Sequence, residues 1–112
     1  MRDVEDELSV VSGIRDGCRV VVVCGDLVAD TVARLDDVLD SLADGLPVLV
    51  DLSGLRMLTS AGVHVLLKPR EFGHPAIFCP FGPVSKVLDI VHAHRLVPIY
   101  ADLQAALVSL TA

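Results

Sequence analysis

Basic charge is scarce in this chain. Nine lysines and arginines stand against fifteen aspartates and glutamates in 112 residues, a formal net charge of -6. Lys68, Arg70, Lys86 and Arg95 are scattered rather than clustered, so the chain has no electrostatic grip on nucleic-acid phosphates or an anionic membrane. Long apolar runs are missing too. The longest, Val20 to Cys24, falls far short of the roughly 20 residues a membrane-spanning helix needs, and no direct membrane insertion is expected. The opening MRDVEDELSV is acidic and has no signal-peptide apolar region, which predicts a cytoplasmic protein. Cys18, Cys24 and Cys79 are odd in number and lack CxxC spacing, which predicts reduced, buried thiols.

The usual signatures of chemistry are also wanting. Ser53-Gly54 and Gly62 are too few and too badly spaced for a phosphate-binding loop or a dinucleotide fingerprint. Gly-x-Ser-x-Gly is absent and no motif places a histidine as a base, so no enzyme is expected. His92 and His94 stand two apart at a predicted helix end and point to different sides, while His64 and His74 have no ligand-like neighbour. Neither a metal nor a cofactor is expected.

What is present is apolar patterning. Hydrophobic residues make up 53% of the chain, enough for one compact domain spanning 1–112 with its own core. Residues 1–7 carry four acids and predict fraying or an edge. LSVVSGI from Leu8 reads as a strand closed by Arg15-Asp16-Gly17. CRVVVVCG, Cys18 to Gly25, reads as a central strand buried on both faces and ended by Gly25-Asp26. Asp30 offers an N-cap for a helix of about a dozen residues, with Val32, Leu35, Leu39 and Leu42 inward, Asp44 among the outward charges, and Gly45 as the stop.

Pro47 then starts the strand VLVDL, a polar turn follows, and an apolar helix begins at Ser60 and is cut short by Pro69. REFGHP, residues 70–75, reads as a turn and Ala76 to Cys79 as a strand. Pro80, Gly82 and Pro83 make a rigid loop before a helix with Val84, Val87, Leu88 and Val91 inward. Val97 to Tyr100 reads as a last strand, and Ala101 to Leu110 as a helix burying Leu103, Leu107 and Leu110. The order is β-β-α-β-α-β-α-β-α. It predicts an α/β fold in which the first two strands pair antiparallel, the later ones run parallel through right-handed crossovers, and helices pack against the mixed sheet.

In such a sheet the functional groups gather beyond the carboxyl ends of the parallel strands, here Asp26 to Asp30, Leu52 to Ser60 and Pro80 to Ser85. The polar residues of the stretch Pro47 to Leu67 (Asp51, Ser53, Thr59 and Ser60) stand out because a core does not require them. Ser60 carries two readings. A serine is a favoured N-cap worth about 1 kcal/mol, a duty Thr59 could share. Capping is the commoner use of such a serine; the functional alternative is phosphorylation, where a phosphate would add about -1.5 to -2 charge beside exposed amides. Asp51 at the end of a buried strand also raises a receiver-like phosphoaspartate, but the acidic pair that holds Mg2+ and a lysine on the last strand are both missing.

VDLSGLRMLTSAGVHVLL resembles the signature of STAS domains, in particular bacterial anti-sigma factor antagonists. VVVCGDLVADTVARL resembles that family's strand, turn and first helix, and FCPFGPVSKVLDIVHAHRLVPIYADLQAAL its last strand-helix-strand-helix run. The resemblance implies a STAS-like fold and a partner that is both an anti-sigma factor and a serine kinase with a GHKL-type ATP site. The unphosphorylated antagonist would sequester that kinase and free a sigma factor, and phosphorylation would break the complex. Ser60 matches the modified serine, with Thr59 a second possible acceptor where the family often has Asp. Asp26, Asp30, Asp51, Ser53, Thr59, Ser60 and Gly62 fall in the implied partner-binding block, Asp30 being the nearest replacement for the family's second turn acid. A monomer or weak dimer is the expectation. STAS-like domains also serve, without phosphorylation, as subunits of transport complexes such as lipid-transport ABC systems, and this is the alternative reading.

Overall fold

The structure, a computed structural model, describes residues 8–42, 45–68 and 75–111. The expectations for residues 1–7, for Asp44, for the Pro69 stop and for residues 70–74 of the REFGHP turn lie outside the described residues. Five strands form one sheet in the order β1-β2-β3-β4-β5. β1 (Leu8–Arg15) pairs antiparallel with β2 (Cys18–Leu27). The two are joined by Asp16 and Gly17, both with positive φ (53° and 79°), the left-handed pair that a two-residue hairpin turn matching strand twist demands. β3 (Val48–Leu58), β4 (Pro75–Phe78) and β5 (Ile99–Tyr100) then add in parallel, as the strand-helix alternation predicts.

β2 and β3 run further than expected. Asp26 does not end β2, and the polar stretch after Leu52 is strand, not turn. The cause is two irregularities in the β2–β3 pairing. From Val22 to Cys24 on β2 the partner advances from Asp51 to Gly54, and from Gly25 to Asp26 it advances from Leu55 to Met57, so β3 carries an extra residue each time. Such bulges twist and re-aim a strand. They convert the period of two into a period of three: Leu52, Leu55 and Leu58 are buried, and the residues between them are exposed. A repeat of three does not read as a strand.

The helices are α1 (Val32–Asp40), α2 (Ser60–Leu66), α3 (Pro83–Ile90) and α4 (Leu103–Thr111), with a 3-10 turn at Ala93–Arg95. Leu35 and Leu39 of α1, Val63 and Leu66 of α2, and Val84 and Leu88 of α3 pack with Val21, Val23, Val50, Leu52 and Ile77 on one face of the sheet. Each fully buried side chain of this kind contributes about 1.5–3 kcal/mol. α4 lies on the other face, where Ala106 and Leu107 meet Leu49 and Ala76, with Leu103 and Leu110 at the margin. Since α4 is the one described helix on that face, β2 is not buried on both faces as expected, and Val20 and Val22 are only half-covered.

Other differences are local. α1 begins one residue later than an Asp30 cap implies, with Thr31 at the N-cap, and it ends at Asp40, ahead of Gly45. Val91 is exposed because α3 has already ended and Val91 is its C-cap. His92 takes a left-handed φ of 56°, which brings its ring edge-on to that of His94 at 6.0 Å between centroids, so the two do not point to different sides. Cys18 and Cys79 are buried and Cys24 half-buried, all three free thiols. The ammonium of Lys68, just past α2, reaches Asp36 at 2.6 Å and Asp40 at 2.5 Å on α1, and bonding to these carboxylates raises its pKa. No described helix is long and apolar enough to cross a membrane.

Candidate functional site

The carboxyl ends of β2 and β3 meet where α2 begins. Leu27 pairs with Leu58, and the backbone N–H of Thr59 donates to the Leu27 carbonyl at 3.2 Å. The Thr59 hydroxyl also leans on that carbonyl, at 3.5 Å, instead of capping α2. Thr59 is thus the N-cap by position, and Ser60 is the first residue of the helix. Capping is therefore not the Ser60 hydroxyl's duty. The side chain is exposed, and among the described residues its hydroxyl makes no hydrogen bond.

Gly62 explains why α2 can sit so close to β2. A Cβ there would stand 2.8 Å from the Leu27 carbonyl oxygen and 2.8 Å from a Leu58 methyl, and a backbone carbonyl cannot step aside cheaply. Gly62 is buried, so its contribution to this site is to let Ser60 stand over the end of β2. Across the gap, the turn from Asp26 to Thr31 is closed by the Thr31 and Val32 N–H groups, which donate to the Val28 carbonyl, and is locked by the Thr31 hydroxyl. Thr31 Oγ1 accepts from the Val28 N–H at 3.0 Å and donates to the Asp26 carbonyl at 2.7 Å. It is the one polar side chain buried in the core of the described residues. This clamp leaves Asp30 exposed and sets Asp26 beside Arg56, with Arg56 Nε 3.3 Å from an Asp26 carboxylate oxygen.

Asp26, Asp30, Thr59, Ser60 and Gly62 are thereby brought to one end of the sheet. Asp51 and Ser53 are not part of that group, because the longer β3 places them back along the strand. Asp51 lies level with Val22 and Phe78, and its carboxylate accepts the Ser53 N–H at 2.8 Å, satisfying a donor at the first bulge. Ser53 instead lines a cavity of about 150 Å3 shared with Pro80 to Val84.

Three residues escaped the sequence reading, Thr31 and Arg56 at this end and Phe81 beside the Ser53 cavity. Thr31 stands directly before the apolar repeat of α1, the position where an N-cap belongs, but a nearby aspartate competes for the same role. Arg56 is a lone cation among acids and carries no motif. Phe81, between Pro80 and Gly82, is 90% exposed, which composition alone does not show. Among the described residues no cluster of three metal-ligating side chains occurs. What the arrangement offers is an exposed surface whose Ser60 hydroxyl has no hydrogen bond among the described residues, with acidic neighbours and one arginine, where a phosphate would change the charge by about -1.5 to -2.

No family model and no curated protein sequence matches the chain. Solved structures do. An anti-sigma factor antagonist from Mycobacterium paratuberculosis superposes with a TM-score of 0.89 at 20% identity, covering 99% of this chain and 100% of that one. An anti-sigma-factor antagonist (STAS) domain protein from Planctomyces limnophilus gives 0.74 at 17% identity over 92% and 98% of the two chains. The anti-sigma factor antagonist SpoIIAA in its unphosphorylated form gives 0.69 at 14% identity over 87% and 92%. The five-stranded mixed sheet and its four helices are therefore the fold of the STAS anti-sigma factor antagonists.

Proposed function

We propose that this protein is an anti-sigma factor antagonist: it binds an anti-sigma factor that is also a serine kinase of the GHKL type, thereby releasing a sigma factor, and phosphorylation of Ser60 ends the binding. The observation that carries this is the exposed Ser60 hydroxyl at the head of α2, without a hydrogen bond among the described residues, on the fold such antagonists share. A kinase needs a reachable nucleophile whose loss from the native hydrogen-bond network costs nothing, and this hydroxyl meets both conditions. Thr59 is the poorer acceptor, since it is half-buried with its hydroxyl turned to Leu27.

The phosphate would act by charge. Ser60 would lie within the interface, so a phosphoserine there places a dianion that must be stripped of water when the partner docks, beside Asp26 and Asp30, which already repel it. The protein works by binding: Asp26, Asp30, Thr59 and Ser60 form the surface, Gly62 sets its geometry, and Asp51 and Ser53 stand apart from it along β3.

The test is a pull-down with wild-type, Ser60→Ala and Ser60→Glu baits, joined to peptide mass spectrometry over Met57 to Arg70. An anti-sigma kinase should be retained by wild type and Ser60→Ala, and reduced by about tenfold or more by Ser60→Glu, as for a charge introduced at an interface centre. A phosphate on Ser60 should appear in cells. Undiminished binding by Ser60→Glu with no phosphate under any growth condition would sink the switch, and co-purification of a membrane ATPase would replace it with a transport role.

A further inference from the structure

Phe81 is the most exposed of the large apolar side chains described, at 90%, yet the backbone that carries it is firmly held. The Cys79 N–H donates to the Tyr100 carbonyl at 2.8 Å. The Gly82 N–H donates to Ser85 Oγ at 2.9 Å, and the Ser85 hydroxyl donates back to the Gly82 carbonyl at 2.9 Å. Pro80 and Pro83 fix φ on either side. A ring held in water by a rigid turn has little ordering entropy left to lose, which favours its use as a docking anchor.

Hollows flank the ring. On one side is the cavity of about 150 Å3 where Ser53 and Leu55 of β3 meet the turn. On the other is one of about 180 Å3, lined by Cys79, Leu88 and Ile99 with Asp89 and His94. Burial, with the Asp89 charge second, pushes the Cys79 thiol up to about 11, so the field of that carboxylate reaches into the second hollow. An apolar wall, an acid and an aromatic lip together suit the stem and head of a basic side chain, arginine above lysine because its flat guanidinium stacks on a ring. The chain's net charge of -6 favours the same kind of partner.

Position joins this feature to Ser60. The turn after β4 leaves the sheet beside β3 at Ser53, which lines the Phe81 hollow, and β3 continues from there to Leu58 and the start of α2, so the ring and Ser60 flank the same exposed stretch of one strand. We infer that Phe81 is the apolar anchor by which the anti-sigma factor docks, its ring entering a pocket of that partner while Asp89 receives a basic partner side chain; this rests on the antagonist reading above.

The experiment is calorimetric titration of the unphosphorylated full chain with the anti-sigma factors of its own organism. Variants are Phe81→Ala, Asp89→Asn and, as a control on the opposite sheet face, Val108→Ala. Phe81→Ala should weaken binding roughly 30-fold or more and Asp89→Asn roughly 3- to 10-fold with a flatter salt dependence, while Val108→Ala binds as wild type. All three should melt as wild type does, since the side chains are exposed or at a cavity wall. Phe81→Ala binding within about twofold of a wild type that does bind would overturn the anchor and leave the antagonist reading standing. A wild type that binds none of these anti-sigma factors would overturn both. Sedimentation in which Phe81→Ala dissolves a dimer without touching partner affinity would assign the ring to self-association and overturn the proposal.

Discussion

A single missing side chain governs how Ser60 is presented. Gly62 is buried under α2, and the Leu27 carbonyl oxygen occupies the space a β-carbon would need. Alanine is the better helix former by about 1 kcal/mol, so propensity alone would call Gly62→Ala stabilising. The clash opposes it and wins, because the obstacle is backbone at 2.8 Å and must move with β2. Gly62→Ala is expected to lower stability by about 1–3 kcal/mol, as overpacking in a filled core does. Chemical denaturation would read this as a lower midpoint at unchanged slope, and a variant as stable as wild type would show that α2 can lift away from β2 without cost. The same comparison separates Gly62 from Phe81: one shapes the surface from below, the other stands on it.

Two junctions between elements build the site, and each depends on atoms that are far apart in the chain or easily overlooked. At the β2–α1 junction, Thr31 Oγ1 ties the Val28 N–H to the Asp26 carbonyl from a buried position. Thr31→Val keeps the shape and removes the bonds, leaving a donor and an acceptor unpaired at a cost of about 1–3 kcal/mol. Hydrogen exchange should then quicken at Val28 more than in β1 or α4, and an unchanged Val28 amide would refute the clamp. At the β3–α2 junction the two bulges carry β3 past the point where alternation ends. Asp51 is explained here as the acceptor that satisfies Ser53 at the first bulge, a role the strand's polar pattern could not announce. Lys68 completes the frame by pairing with Asp36 and Asp40, which braces the far end of α2 on α1.

Across the whole molecule the sheet separates two apolar layers of unequal size. Leu49 faces α4 and Val50 faces the other three helices, so adjacent residues of β3 serve opposite layers. This makes the layers cooperative, although only the larger one supports Ser60. Leu107→Ala in the smaller layer should cost about 2–5 kcal/mol, in line with other large-to-small changes at buried leucines. The melt should stay a single transition, and partner affinity well below the midpoint should hold within about twofold, as for distant sites that share no contacts. A biphasic melt would mean that α4 folds apart from the sheet.

Much of this is written locally. The order of nine elements, the Asp16-Gly17 hairpin, the inward faces of α1 and α4, and the place of Ser60 at the head of α2 follow from hydrophobic period and turn chemistry, which neighbouring residues carry by themselves. The extension of β3 to Leu58, the clamp at Thr31, the Asp26–Arg56 pair, the close approach at Gly62 and the exposure of Phe81 were decided only by tertiary structure. Each depends on a partner from another strand or helix, or on the lack of one. A bulge exists only relative to the strand beside it, and an exposed ring only relative to the surface that leaves it uncovered.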